Sequence, residues 1–241
     1  MTIDFERRDF IRSASLLAGA AAVAQSLPDH AVAAAPTATG ATPMTYEIKP
    51  MPFDPKTVKG LSDKLLTSHY ENNYSGAVKR LNAITAQLAS LDWKTAPNFM
   101  INGLKREELI AANSMILHEH YFSALGGDSK LSGPLSGAIA HDFGSYDRWQ
   151  AEFSAMGKAE GGGSGWVILA YAPRDKRLIN AWAADHTTTL AGGRPVLVFD
   201  MYEHAYHMDY GAKAAGYVDA FMQQIRWDGP AKLYEQYRGE A

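Results

Sequence analysis

Cysteine is missing from all 241 residues. Its absence excludes a disulfide scaffold, a thiolate-held zinc or iron–sulfur site, and a thiol nucleophile. It also suits an oxidising compartment, where stray thiols are a liability. A strong excess of either charge is missing too: 23 Lys and Arg stand against 26 Asp and Glu, a formal net charge of −3. That balance gives no electrostatic footprint for nucleic acid. The apolar stretch from Ala14 to Ala24 is too short, and too rich in Ala and Gly, to hold a bilayer. No membrane partner is therefore expected once that segment is removed. No internal repeat is present. The remaining composition, 46% hydrophobic and 20% charged, is that of a globular chain with room for one or two small domains.

The first 33 residues read as a targeting segment and not as fold. Arg7-Arg8-Asp9-Phe10-Ile11-Arg12 precedes the apolar stretch, and Ala31-Val32-Ala33 is a small-residue cleavage pattern. This looks like a twin-arginine export signal, with cleavage expected after Ala33 and a periplasmic destination. Residues 34–45, rich in Ala, Thr, Pro and Gly, read as a flexible linker.

From about Pro55 to Leu125 the pattern is helical. Val58, Leu61, Leu65 and His69 recur at steps of three and four and share one face. A second helix is expected from about Arg106, with Ala111, Met115, His118, Phe122 and Leu125 in register. Pro97, Asn102 and Gly103 supply the breakers between them. Two shorter helices are expected near 134–142 and 145–157. Three strands follow, Gly165 to Tyr171, Arg177 to Ala184 and Pro195 to Phe199, and helices near 213–225 and 229–238 close the chain. The fold class is α+β: a helical-hairpin domain over 46–127, then an α+β domain over 128–241 whose small three-stranded antiparallel sheet is surrounded by helices.

Asp200 stands at the end of a predicted strand and His204 lies one helical turn further on, so both can point at one ion. A carboxylate with an imidazole suits iron, manganese or zinc better than calcium or magnesium. His69 and His118 each sit on the apolar face of a helix, and the two helices are expected to pack face to face. A lone histidine on such a face is more often a hydrogen-bonded core residue. Two that face each other complete a set of three nitrogens and one oxygen, suited to a redox-active iron or manganese centre.

At these residues the chain resembles the iron/manganese superoxide dismutases. The resemblance runs from about Tyr46 to the C-terminus. It is carried by Tyr46-Glu47-Ile48-Lys49-Pro50, His69-Tyr70, Leu81-Asn82, His118, Gly163-Ser164-Gly165-Trp166, Asp200-x-x-Glu203-His204-Ala205-Tyr206, Asp209-Tyr210 and Trp227-Asp228. It implies superoxide as substrate and one iron or manganese ion per subunit, with iron slightly ahead, held by His69, His118, Asp200 and His204. It implies Trp166 beside the metal and His186 as the outer group that hydrogen-bonds metal-bound solvent, since Ser114 is too short for that task. It further implies a homodimer or homotetramer in which Glu203 reaches the partner's ligand histidine.

The departures from the family lie around the site. Ala77 stands where the family has a channel tyrosine, Asn73 where a histidine is common, and His207 where a tyrosine is usual. Ala214 replaces an arginine, and Phe122 and Tyr202 replace tryptophans. Two other functions fit the same ligands: a family-derived metal-binding protein with little dismutase activity, and a zinc hydrolase using His186 or Glu119 as base. His120, two residues from His118, points to the other side of its helix.

Overall fold

The computed structural model describes residues 42–127 and 129–240. The expected export segment and most of the expected linker lie outside the described residues. Thr39–Ala241 form one compact unit.

The chain enters as an extended strip over residues 42–54. Asn82 stitches it down: its Oδ1 accepts from the Tyr46 N–H at 2.8 Å and its amide donates to the Tyr46 carbonyl at 2.9 Å. A 3-10 turn at Pro55–Thr57 leads to α1, Asp63–Ser68, whose N-cap Ser62 accepts from the Leu65 N–H. Val58 and Leu61 thus precede the helix that the periodicity extended over them. They reach the core from the turn around Gly60 and are as buried as Leu65. A π-helical turn, His69–Tyr74, continues α1 into α2, Ser75–Ser90. Such turns carry an extra residue and re-aim the side chains beside them.

Helix α3, Asn98–Ser123, begins eight residues earlier than the breakers suggest. Pro97 supplies the non-helical backbone at its N-cap. Asn102 and Gly103 lie inside the helix: one interior glycine costs about 1 kcal/mol, which a 26-residue helix packed along α2 and the sheet readily absorbs.

Helices α4, Gly133–Phe143, and α5, Tyr146–Glu160, lead into the sheet. Its strands are β1, Trp166–Ala172, β2, Arg177–Ala183, and β3, Arg194–Asp200. The order is β2-β1-β3 and both pairings are antiparallel. β1 is buried at every position, as a central strand covered on both faces must be. On one face Val167, Leu169, Tyr171, Leu197 and Phe199 join the main core with α5 and α7. Gly157 on α5 permits that contact, because a Cβ there would come within 2.7 Å of the Phe199 ring. On the other face Trp166, Ile168, Ala170 and Val198 pack with Leu117 of α3. A 3-10 turn at Glu203–Ala205, a short α6 at His207–Tyr210, α7 at Ala214–Gln223 and α8 at Asp228–Gly239 complete the chain.

Asp209 ties the last quarter of the chain to the first helix. Its two carboxylate oxygens accept from the Ser62 N–H at 2.6 Å and the Ser62 hydroxyl at 2.7 Å, and the Tyr210 hydroxyl donates to the Gly60 carbonyl. This clasp holds the segment bearing His204 against the helix bearing His69.

Candidate metal centre

Three elements meet at Asp200. His69 is the first residue of the π-helical turn, His118 lies near the end of α3, and His204 lies in the 3-10 turn after β3. One ligand atom from each of His69, His118, Asp200 and His204 lies within 4.8 Å of all the others. The three Nε2 atoms converge on one carboxylate oxygen, Asp200 Oδ2: His69 at 3.1 Å, His204 at 3.2 Å and His118 at 3.6 Å. The rings of His69 and His118 cross at 80° with centroids 5.0 Å apart, and those of His69 and His204 cross at 65° with centroids 4.8 Å apart. The His69 ring thus crosses both others, while the His118 and His204 rings lie within 19° of parallel with centroids 5.7 Å apart.

Surrounding bonds fix two of the four candidate ligands, His118 and Asp200. His118 Nδ1 donates to the Ser114 carbonyl at 2.6 Å, which leaves Nε2 as the lone-pair nitrogen. That atom is buried and has no hydrogen-bond partner. Ser114 therefore acts through its main chain, orienting a ligand. Asp200 Oδ1 accepts from the Tyr202 N–H at 2.9 Å, and the Asp200 carbonyl accepts from the Tyr217 hydroxyl at 2.8 Å. Tyr121 stands behind Tyr217, with their hydroxyls 3.1 Å apart.

The protonation states match the geometry. Burial drives the pKa of His69 down, and that of His118 down to about 3 with help from the charge of His69. Burial would push Asp200 up. The charge and hydrogen bond of His204, and then those of His69, outweigh it and hold the carboxyl well below the usual carboxylate range. His69 and His118 held neutral beside an ionised carboxylate suit a transition-metal site. An orphaned imidazole lone pair aimed at a carboxylate oxygen is otherwise unfavourable, so these residues fit a bound cation.

Trp166 and His186 form the wall. Trp166 pairs with Asp200 across the β1–β3 ladder and sets its ring edge-on to His118 at 5.2 Å. Its indole N–H donates to His186 Nδ1 at 3.0 Å. An indole nitrogen only donates, so neutral His186 carries its proton on Nε2. Burial lowers the His186 pKa and favours that neutral form. The Asn113 amide holds the His186 carbonyl at 2.5 Å.

The altered positions are also placed. Ala77 is buried in α2. The Tyr70 and Tyr74 rings meet at 45° near Phe122, but their hydroxyls bind the entering strip: Tyr70 donates to the Lys49 carbonyl at 2.6 Å, and Tyr74 accepts from the Lys49 N–H at 2.9 Å. Glu119 is taken up by the Lys49 ammonium and the Tyr74 hydroxyl, outside the ligand cluster. His120 also stands apart, its pKa lowered to about 4 by burial and by Lys49. Glu203 and His207 are exposed in the single chain, and Asn73 is half-buried. Sequence reasoning missed Tyr217, Tyr121 and Asn113. Tyr217 sits at helical spacing with Val218 and Phe221, which signals core and nothing more.

Fold and site together fit a class: α+β proteins with a three-histidine, one-aspartate cluster that could hold a metal ion. The family described as iron/manganese superoxide dismutases, C-terminal domain, matches residues 131–232. The chain is 69% identical over 191 residues to "Superoxide dismutase [Fe]" of Cupriavidus metallidurans, covering 79% of this chain and 97% of that protein. It is 34% identical over 196 residues to "Superoxide dismutase [Mn] 1" of Halobacterium salinarum, covering 79% and 96%. It is 34% identical over 190 residues to "Superoxide dismutase [Fe]" of Aquifex pyrophilus, covering 76% and 88%. The chain belongs to the iron/manganese superoxide dismutase family.

Proposed function

We propose that His69, His118, Asp200 and His204 hold the iron or manganese ion with which this chain, a superoxide dismutase, converts superoxide to dioxygen and hydrogen peroxide. The convergence of three Nε2 atoms on Asp200 Oδ2 carries the assignment of the ligands. Bound there, the ion supplies a one-electron couple poised between the oxidation of one superoxide and the reduction of the next.

The chain's own residues do the rest. Ser114 fixes the tautomer and direction of His118. Trp166 fixes His186 as an Nε2–H donor, so His186 offers a proton-bearing nitrogen beside the ligand set. A donor so placed favours an anion beside it and lowers that anion's proton affinity. Phe122, Trp166 and Tyr202 lie against His69, His118 and His204 and make the surroundings largely apolar.

Iron is our first choice of metal, supported by the 69% identity to an iron-named relative. The same relationship spans nearly the whole of that relative, and it favours a working dismutase over a metal-binding protein without activity. A zinc hydrolase is disfavoured because Glu119 is engaged by Lys49 and Tyr74. Metal analysis of purified protein, with dismutation assayed on separately iron- and manganese-loaded samples, tests all three. Full metal occupancy without faster loss of superoxide would sink the dismutase reading.

The working unit we propose is a homodimer or homotetramer, with exposed Glu203 accepting from the partially exposed His204 of a second copy. Glu203→Ala would then shift the chain toward monomer in analytical ultracentrifugation. Residues 1–33 read as a twin-arginine export signal and place the mature protein in the periplasm. N-terminal sequencing of exported protein that began far from Ala34 would overturn this.

A further inference from the structure

His186 stands in the loop between β2 and β3, yet its ring and backbone are held firmly. The Trp166 indole fixes Nδ1 and Asn113 fixes the carbonyl. Neither bond stops the imidazole from rolling about the line joining the two nitrogens. A third contact does. The Tyr202 ring lies 4.8 Å from His186, within 16° of parallel. Tyr202 also stacks on the ligand His204, at 5.3 Å and 22°, and its flank meets Trp166 at 5.8 Å. These are the separations at which aromatic faces attract. Its own backbone is pinned by the N–H it gives to Asp200 Oδ1 at 2.9 Å.

We propose that Tyr202 is a positioning residue, whose ring stacks on the imidazoles of both His186 and His204 and fixes the outer donor relative to the ligand set. The inference rests on the reading of His186 as that donor. It assigns the work chiefly to the ring face, although the hydroxyl also lies by the His186 backbone and Ser164. Tyr202→Phe keeps that face, and Tyr202→Ala leaves His186 bound by Trp166 but free to roll. The quantity that responds is the fit of a small anion beside the metal, which is read apart from turnover.

The test uses the iron-loaded full chain, with azide as the anion probe titrated by absorbance, and the ferric electron paramagnetic resonance spectrum of each variant. Tyr202→Ala is expected to shift the azide dissociation constant about tenfold and to alter the ferric spectrum, with Tyr202→Phe within about twofold of wild type. His186→Ala shifts the same constant. In the His186→Ala background, adding Tyr202→Ala has a clearly smaller effect than in the wild type, because one of its two stacking partners is gone. An undiminished effect of Tyr202→Ala in that background overturns the inference. So does a wild-type constant for Tyr202→Ala where His186→Ala moves it, and the reading of His186 then survives. If His186→Ala changes nothing, that reading falls and the inference falls with it. Should Tyr202→Ala fail to retain iron, Tyr202→Leu, which keeps bulk and loses stacking, carries the same expectations.

Discussion

Asp200 and Glu160 are both buried carboxylates, 0% and 8% exposed, and their chemical states are opposite. Asp200 is met by three imidazole nitrogens and a backbone N–H, and it stays ionised. Glu160 is the last residue of α5, where the helix presents carbonyl groups and disfavours an anion. Its carboxyl lies against the backbone of Gly165, and neither oxygen has a partner. Burial first, and the charge of Asp200 second, push it up to about 7. Burial alone therefore does not make a site. Convergent donors do, and a buried acid without them holds its proton up to about neutral pH.

Removing the donor-rich carboxylate should have the largest effect. Asp200→Ala is expected to weaken metal binding by more than about a hundredfold, read as metal per chain after dialysis against a chelator. Dismutation should vanish with the metal. A variant that retained one metal per chain would break the comparison, since Asp200 would then be no more needed than Glu160.

Next comes the outer donor. His186→Leu is expected to keep the metal and lose about ten- to a hundredfold in dismutation rate, measured on samples matched for metal content. Equal rates would show that the orphan lone pair and the carboxylate suffice without the wall.

Glu160 sharpens the comparison through pH. An acid whose folded pKa is raised binds more protons folded than unfolded. Its contribution to stability is full below about pH 4.5 and is lost as pH rises through about 7. Glu160→Gln removes that loss. It should stabilise the chain by about 2–3 kcal/mol at pH 8 and by little at pH 4, read from urea midpoints at the two pH values. A gain that is the same at both would mean that Glu160 is not protonated in the fold.

The smallest effect is expected at Ser114. The bond that orients His118 runs to the Ser114 carbonyl, so Ser114→Ala should change stability and metal affinity by less than about 0.5 kcal/mol. A larger loss would return a role to the hydroxyl, which lies 3.3 Å from His118 Nδ1.

The sequence made the candidate ligands legible because they obey local rules. His69 and His118 fall at core positions of a helical period, Asp200 ends an apolar strand run, and His204 follows it by one helical turn. Trp166 came only from the family resemblance, through Gly163-Ser164-Gly165-Trp166. Less was legible where the cause is non-local. Nothing in the sequence near Tyr217 points to the Asp200 carbonyl, which it reaches by packing α7 under the sheet. The start of α3 was misplaced because Asn102 and Gly103 are breakers by propensity, and tertiary packing overrides a cost of about 1 kcal/mol. The π-helical turn at His69 was invisible to a period of 3.6. Glu160 gave no signal at all, because its distinction is the lack of a partner.

The clasp between Ser62 and Asp209 spans 147 residues, and His69 is separated from Asp200 by 131. During synthesis, His69 and His118 emerge long before the carboxylate and the last imidazole that complete their set. A nascent chain thus offers two scattered histidines and no trap until its final quarter has arrived and the clasp has shut. A set completed so late is expected to take the ion available in the compartment where the chain finishes folding.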